Sequence, residues 1–247
     1  MIRRLFTDIA AIYDRMNHVM SLGLDRRWRR LAAAELENSP SMILDLACGT
    51  GDFAFELARR FPGARILGVD LTPAMLDIAR SKNRSAQIVF VEGDAMDLSS
   101  VPDAAYTGSF GVAGGRGVFD LCSCAFGFRN FPDRRKALEE VGRVLKPGGE
   151  LLVLEFFRPR NTLLGLFTSI WVRMLSVMFA GRRTSAYRYL RESMNGMVTV
   201  EEFVSMAEAE GFRLQSRRFF MPCCTCLHLH RLRNLRIATT QLAEIVI

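Results

Sequence analysis

A glycine-rich loop is the segment of this chain whose residue types and spacing best suit chemistry. The loop, Gly49-Thr50-Gly51, follows the apolar run 42–47, and a segment with helical spacing comes directly after it. Glycines allow the backbone to approach a ligand closely, and the start of a helix offers free N–H groups. The loop therefore predicts a binding site for a small molecule.

Three aspartates narrow the choice of that molecule. Asp45 precedes the loop, Asp70 ends the next strand-like run, and Asp94 follows the third. Gly49-x-Gly51-x-x-Ala54 together with Asp70 satisfies the relaxed dinucleotide fingerprint, in which the aspartate holds a ribose. A nicotinamide cofactor and S-adenosylmethionine are thus the two candidates.

Charge separates these candidates. S-adenosylmethionine carries an ammonium and a sulfonium, which a buried Asp45 attracts, whereas the same carboxylate repels a pyrophosphate. The loop contains no lysine or arginine to bind phosphate, and Asp94 suits the exocyclic amine of adenine. The pattern favours S-adenosylmethionine as the cofactor. In the alternative interpretation, Asp45 and Asp94 only cap neighbouring turns.

The elements that must position these residues alternate between strand and helix from residue 42 to residue 157. Strand-like runs cover 42–47, 65–70, 87–95, 118–126 and 150–157, and helical spacing covers 52–61, 72–82 and 133–145. This alternation with short loops predicts an α/β fold with a doubly wound, mostly parallel sheet.

We predict a single domain, 1–247, in which other segments cover this core. Its parts are an N-terminal helical cap (1–40), the core that binds the methyl donor S-adenosylmethionine (41–157), a helical cover (158–211), the last strands (212–231) and a tail without assignment (232–247). The glycine-rich stretch 107–117 is predicted to be a flexible inserted loop.

Composition and charge limit the class of protein. Hydrophobic residues make up 49% of the chain and charged residues 24%, which predicts a globular domain with a hydrophobic core. The net charge of +7 suits an anionic surface, although solvated basic faces are equally common. The most apolar window, 163–181, contains Arg173, and a central arginine costs a membrane span roughly 2.5 to 3.5 kcal/mol. We interpret the window as a helical cover or an interfacial helix.

The cysteines do not indicate a metal. The densest cluster, CCTCLHLH at 223–230, lacks a second CxxC-type pair, and its alternation fits a late strand. We therefore predict no metal ligands, and free thiols in a reducing cytoplasm.

Three further segments are similar to a known family. YDRMNHVMSLGLDRRW (13–28), FGFRN (126–130) and RVLKPGGELLVLEF (143–156) resemble the ubiquinone/menaquinone biosynthesis C-methyltransferases. The resemblance implies a class I S-adenosylmethionine-dependent methyltransferase (Rossmann-like) fold with the helical cover inserted after the fifth strand. It also implies methylation of a ring carbon of a prenylated quinol, most simply demethylmenaquinol to menaquinol.

The resemblance assigns donor binding to the 49–51 loop, Thr50 in particular, and to Asp70, Asp94 and Ala95. The sequence departs from the family at three positions. Ala125 stands where the family usually has serine, Asp25 where it has histidine, and Phe157 where it has serine or threonine.

Arg129 and Asn130, at the end of the fourth predicted strand, are the candidate catalytic residues, together with Tyr13. Methylation of a ring carbon needs an electron-rich ring, and a fixed guanidinium favours the phenolate that provides it. We expect Arg129 to support this anion, Asn130 to hold a ring oxygen or to orient Arg129, and Tyr13 to close the pocket. In the alternative, Arg129 pairs structurally with a carboxylate such as Asp14 or Glu155.

The expected partner is a prenylated quinol. Window 163–181 would then line a tunnel for the prenyl tail and contact an anionic membrane at the inner leaflet. In the alternative, the window packs against the sheet as an ordinary helix or forms a homodimer interface. We expect no nucleic-acid partner, because no RNA-binding motif is present. The alternative functions are methylation of another hydroxylated aromatic or lipid, and an inactive donor-binding paralogue that acts as a scaffold.

Overall fold

A seven-stranded sheet organises the chain, whose computed structural model describes residues 2–101, 116–160, 170, 189, 192–194, 196–221 and 224–233. The strands are β1 (Met42–Leu46), β2 (Arg65–Asp70), β3 (Ile88–Glu92), β4 (Phe119–Ala125), β5 (Leu145–Phe156), β6 (Phe212–Phe219) and β7 (Cys224–Arg231). Their order is β3-β2-β1-β4-β5-β7-β6. The first five strands are parallel, and β7 is antiparallel to both β5 and β6. This confirms the predicted doubly wound, mostly parallel sheet.

Six α-helices lie among the described residues. They are α1 (Ile2–Met20), α2 (Asp25–Ala33), α3 (Asp52–Arg60), α4 (Pro73–Lys82), α5 (Arg134–Val144) and α6 (Val200–Ala209). Local sequence explains several helix starts. The Asp133 side chain accepts a hydrogen bond from the Lys136 N–H at the start of α5, and Thr199 with Glu202 forms a capping box at α6.

The core lies on both faces of the sheet. Leu138 of α5 and Phe203 of α6 belong to an apolar cluster on one face, and Trp28 of α2 and Leu57 of α3 belong to the cluster on the other. Alternate residues of β5 enter the two clusters, as the period of a strand requires. Parallel strands buried on both faces explain why β1, β4 and β5 are almost continuously apolar.

One predicted boundary was wrong. The fifth strand was expected at residue 150, but β5 begins at Leu145. Its pairing with β4 shifts register between Phe119 and Leu121, and Gly148 adopts a φ of +80° there. This irregularity accommodates Pro147, which has no N–H to donate to a ladder.

Several predicted segments fall outside the described residues. These are the tail after residue 233, most of the 107–117 loop, and window 163–181 apart from Ile170. Among the described helices, none has the length and apolar character needed to cross a membrane.

Candidate active site

A cavity of about 420 Å³ opens at the carboxyl ends of β1, β2 and β4. In an open α/β sheet, ligands bind at this edge, where the strand order reverses. Six of the lining residues were predicted from the sequence: Tyr13, Gly49, Asp70, Asp94, Ala95 and Asn130. The structure therefore brings most of the predicted site residues to one place.

The glycine loop has the backbone geometry that its sequence predicts. Gly49 and Gly51 adopt left-handed conformations, with φ of +54° and +86°, which side chains other than hydrogen rarely tolerate. A Cβ at Gly51 would also lie 2.8 Å from the Phe90 ring. Gly51 then caps α3, so the loop feeds directly into a helix start.

Asp70 holds this loop in place. Its Oδ2 accepts a hydrogen bond from the Gly49 N–H at 2.9 Å, and its Oδ1 accepts one from the Thr72 N–H at 2.8 Å. Burial raises the pKa of Asp70, and these backbone hydrogen bonds oppose that shift. Asp70 lines the cavity, and each oxygen keeps a lone pair that can accept a further hydrogen bond.

Asp45 is a buried carboxylate with one unpartnered oxygen. Its side chain receives a hydrogen bond from the Ser123 hydroxyl on Oδ1 at 2.6 Å, whereas Oδ2 has no hydrogen-bond partner among the described residues. Burial raises the pKa of Asp45 to about 7. A smaller pocket, lined by Asp45 and Thr50, adjoins the main cavity, and Gly49 and Tyr13 line both. A cationic group in this pocket would satisfy the free oxygen.

Asp94 and Ala95 form the third part of the cavity wall. The Asp94 Oδ1 accepts a hydrogen bond from the Met96 N–H at 2.9 Å, which fixes the turn after β3. Both residues line the main cavity, as expected.

Helix α1 covers the loop through Asp14. The Asp14 carboxylate accepts hydrogen bonds from the Thr50 hydroxyl and from the Lys82 ammonium, and Lys82 also donates to Asp52 at 2.8 Å. Thr50 is buried, and its hydroxyl is already engaged by this contact. The predicted helical cap therefore connects directly to the donor loop.

Aromatic side chains form the roof of the cavity. The Phe6 ring lies edge-on to Tyr13 at 5.8 Å between centroids and to Tyr189 at 6.0 Å. The Tyr189 hydroxyl donates a hydrogen bond to the Asn130 Oδ1 at 3.0 Å. Asn130 in turn donates from Nδ2 to the Phe126 carbonyl at 3.3 Å.

Arg129 is buried behind the cavity wall. Its Nη1 donates to the Glu155 Oε1 at 2.8 Å, and its backbone N–H donates to the Glu155 Oε2 at 3.2 Å. Burial is the largest influence on Arg129 and lowers its pKa, but the charge of and hydrogen bond to Glu155, together with Tyr13 and Tyr189, raise the pKa overall. The residues that line the cavity include Asn130 and Phe126 but not Arg129. The pairing with Glu155 is the alternative that the sequence left open.

The strand end that carries Arg129 has a strained backbone. Phe126, which lines the cavity, adopts a φ of +61°, and Ala47 at the end of β1 adopts a φ of +51°. Such conformations in residues with a Cβ persist only when the surroundings enforce them. A Cβ on Gly127 would lie 2.5 Å from the Cys124 Sγ, so the chain packs tightly here.

The three residues that depart from the family pattern each make contacts that the structure describes. Asp25 is buried and accepts a hydrogen bond from the Arg29 Nη1 at 2.7 Å. Ala125 lines the smaller pocket, and the Phe157 ring packs edge-on against Phe203 at 5.4 Å.

Sequence reasoning missed Ser123 and Tyr189. Ser123 faces Asp45 because β4 pairs with β1 in a register that places these two residues side by side. Tyr189 belongs to the segment YRYLRES, which resembles the family, but nothing in the sequence places it beside Asn130.

The site fits S-adenosylmethionine better than a pyrophosphate cofactor. Asp45, Asp70 and Asp94 all face the two pockets, and the unpartnered Asp45 oxygen suits an ammonium. Arg3 is the cation that lines the main cavity, and it pairs with Glu92 at 2.7 Å. Arg29 is the cation that lines the smaller pocket, and it pairs with Asp25 at 2.7 Å.

Comparison with known proteins identifies similar sequences and folds. The sequence model of the "ubiE/COQ5 methyltransferase family" matches residues 1–230. The demethylmenaquinone methyltransferase of Deinococcus radiodurans is 43% identical over 223 residues, which cover 87% of this chain and 86% of that protein. The ubiquinone/menaquinone biosynthesis C-methyltransferase UbiE of Syntrophotalea carbinolica is 40% identical over 216 residues, with 85% of each chain covered.

Solved structures show the same fold at low sequence identity. Human N-acetylserotonin methyltransferase in complex with SAM has a TM-score of 0.60 and 21% identity; the match covers 94% of this chain and 60% of that one. A SAM-dependent methyltransferase from Aquifex aeolicus has a TM-score of 0.54 and 14% identity, with 78% and 82% covered.

Proposed function

Because the chain belongs to the ubiE/COQ5 methyltransferase family and is therefore an S-adenosylmethionine-dependent methyltransferase, we propose that it methylates a ring carbon of a prenylated quinol, converting demethylmenaquinol to menaquinol. The names of the relatives support this acceptor. The observation that carries the proposal is the unpartnered, buried Asp45 oxygen beside the glycine loop, because it calls for a cationic ligand.

Four groups would hold the donor. Asp45 would bind its ammonium, Asp70 its ribose hydroxyls and Asp94 its adenine amine, while the glycines of the 49–51 loop would let the backbone approach it closely. When bound, S-adenosylmethionine supplies an electrophilic methyl group on a sulfonium. The chain's own contribution is to fix the positions of donor and acceptor and to exclude water.

The acceptor ring would lie against Asn130 and Tyr13. A quinol hydroxyl that loses its proton gives a phenolate, whose adjacent ring carbon is the nucleophile. Asn130 Nδ2 is a donor at the cavity wall, and Arg129, the preceding residue, does not line the cavity. Because the Arg129 side chain is only 5% exposed, water screens its charge weakly. We propose that Arg129 favours the phenolate through the wall rather than by contact.

Arg129→Lys tests this role. Lysine keeps the charge but loses the planar fork that pairs with Glu155. We expect kcat for demethylmenaquinol to fall about 10- to 100-fold, which is less than the roughly 100- to 1,000-fold cost of removing a donor that touches the reacting group, because Arg129 does not line the cavity. The Kd for S-adenosylmethionine should not change. Unchanged turnover would leave Arg129 with a structural role only.

The prenyl tail suggests a peripheral contact with an anionic membrane. Ile170 and Phe219 are each 57% exposed, and apolar side chains next to basic ones suit a lipid surface. Arg217 and Arg218 precede Phe219.

The decisive experiment supplies short-tailed demethylmenaquinol, reduced or oxidised, in neutral or anionic vesicles together with S-adenosylmethionine. Gain of one methyl group on carbon, with the reduced ring alone, is the expected result. Cosedimentation with anionic vesicles that salt abolishes would support the membrane contact. Donor binding without product would direct attention to a benzoquinol or another hydroxylated acceptor, or to an inactive paralogue.

A further inference from the structure

A second group of polar side chains lies inside the sheet, away from the cavity. Glu150 of β5 and His230 of β7 are directly opposite each other in the antiparallel pairing, and His228 lies two residues along β7. Residues two apart on a strand share one face, so the three side chains converge. One ligand atom from each lies within 4.8 Å of the other two.

The cluster is well separated from the methyl-transfer site. Glu155, which pairs with Arg129 behind the cavity wall, is five residues further along β5 than Glu150. At about 3.3 Å per residue this separation is roughly 16 Å. The proposed reaction therefore does not account for the three side chains.

Burial and hydrogen bonding give the cluster the character of a built site. Glu150 is 7% exposed and His228 is 5% exposed. The His228 Nε2 lies 2.9 Å from the Glu150 Oε2, and Asn38 donates to the other Glu150 oxygen. These two partners already satisfy Glu150, so its pairing does not explain why a second imidazole, His230, stands beside it.

We propose that Glu150, His228 and His230 bind a divalent transition metal of the Zn²⁺ class. Two imidazoles and one carboxylate form a ligand set that Zn²⁺ accepts, with water completing the tetrahedron. Asn38 orients the carboxylate from outside, as partners of metal ligands commonly do. The alternation of CCTCLHLH predicted a strand rather than a metal site, and β7 provides both the strand and the two histidines on one face of it.

Metal binding requires the proton on the His228 Nε2 to move. Glu150 is a carboxylate acceptor, so the hydrogen bond to it requires a proton on the His228 Nε2. In a neutral imidazole that proton must move to Nδ1 before Nε2 can donate its lone pair to Zn²⁺, whereas a doubly protonated imidazolium must release one proton to solvent. The metal would then join β5 to β7 at the point where Asn38, in the segment between α2 and β1, also reaches the sheet.

Calorimetric titration of the full chain, stripped with a chelator, with Zn²⁺ alone tests the site. We expect one saturable equivalent, weaker binding as pH falls because protonated imidazoles cannot bind the metal, and a higher melting temperature with Zn²⁺. His230→Gln removes a ligand at a partly exposed position. It should weaken binding by more than about 100-fold, which is the largest effect that changes in outer-shell partners cause. Asn38→Ala should weaken it by roughly 10- to 100-fold.

The chain provides a matched control in His18, its third histidine, which lies on α1 beside Asp25. His18→Gln should bind Zn²⁺ as the unaltered chain does. A cobalt-substituted sample should lack a sulfur-to-metal charge-transfer band, because no cysteine is among the ligands. Equal Zn²⁺ affinity in the unaltered chain and His230→Gln, or a thiolate band, would overturn the proposal. His228→Gln gives the same test from the buried side.

Discussion

Asp45 and Glu155 are both carboxylates buried near the carboxyl ends of core strands, yet their surroundings are opposite. Asp45 in β1 receives one hydroxyl hydrogen bond and keeps an oxygen unpartnered among the described residues. Glu155 in β5 accepts hydrogen bonds from the Arg129 side chain and backbone and from the Phe156 N–H.

Under the proposed function, this difference separates a carboxylate that binds the ligand from a carboxylate that holds the cavity wall together. A buried carboxylate oxygen without a hydrogen-bond partner is costly to the folded protein, so a site that keeps one benefits when a cationic donor of hydrogen bonds binds there. A buried carboxylate paired with arginine is already satisfied and has little to offer a ligand. Asp45 therefore suits the ligand-binding role proposed for it, and Glu155 is the residue that fixes Arg129.

Glu155→Gln should have the largest effect. Removing one partner of a buried ion pair leaves an uncompensated charge, here on Arg129, and costs about 3 to 5 kcal/mol of the free energy of unfolding. Urea denaturation followed by circular dichroism measures this cost. Glu201→Gln is the matched control, because its pair with Arg217 is exposed and worth at most about 1 kcal/mol. A similar loss of the free energy of unfolding in Glu155→Gln and Glu201→Gln would show that the buried pair of Glu155 is worth no more than an exposed one, and the contrast with Asp45 would then fail.

Asp45→Asn should have the second largest effect, on donor binding. A charged hydrogen bond is worth about 1.5 to 3 kcal/mol, so we expect the Kd for S-adenosylmethionine to rise about 10- to 150-fold at pH 8. Asp77→Asn, which changes an exposed carboxylate on α4, should leave the Kd unchanged.

The pH dependence of the same affinity identifies the group. The pKa of Asp45 is about 7 in the folded protein, so Asp45 is protonated below that pH and ionised above it. Donor affinity should therefore increase as pH rises through about 7 and lose this increase in Asp45→Asn. The folded state itself behaves oppositely, since a raised carboxyl pKa costs stability as pH rises from about 4 to about 7. A pH-independent Kd in the unaltered chain would contradict this assignment.

The sequence predicted Asp45 as a site residue but could not choose a partner for Arg129. The difference is that the first prediction uses a local pattern, whereas the second needs a contact between distant segments. Asp45 lies four residues before the glycine loop, and a strand followed by a loop and a helix start is a local pattern. Glu155 is 26 residues from Arg129, and its pairing depends on how β4 packs beside β5. Strand and helix periods report which residues are inward, but not which inward polar groups meet.

The histidines of β7 illustrate the same limit. Alternation predicted the strand that contains His228 and His230. Their contact with Glu150 depends on the antiparallel register of β5 with β7, which joins segments 78 residues apart. Tyr189 likewise reaches Asn130 across 59 residues.

Ser123→Ala should have the smallest effect of these substitutions. It removes the hydrogen bond that Asp45 receives, whereas Glu155 keeps all of its own. Removing the 2.6 Å hydrogen bond from the Ser123 hydroxyl takes away a donor that stabilises the ionised carboxylate. The loss should raise the pKa of Asp45 further, by about one unit for each 1.4 kcal/mol that the hydrogen bond contributes. The midpoint of the pH dependence of donor affinity should move upward by about one unit or more, while affinity well above the midpoint should change little.

Ser81→Ala, which removes an exposed hydroxyl that donates to the Ile78 carbonyl on α4, should leave the midpoint where it is. An unmoved midpoint in Ser123→Ala would mean that the group titrating in donor binding is not Asp45. Asp70, the other carboxylate of the site whose pKa is raised by burial, would then be the next to exchange for asparagine. The order of the two experiments therefore distinguishes the carboxylate that binds the ammonium from the one that holds the loop.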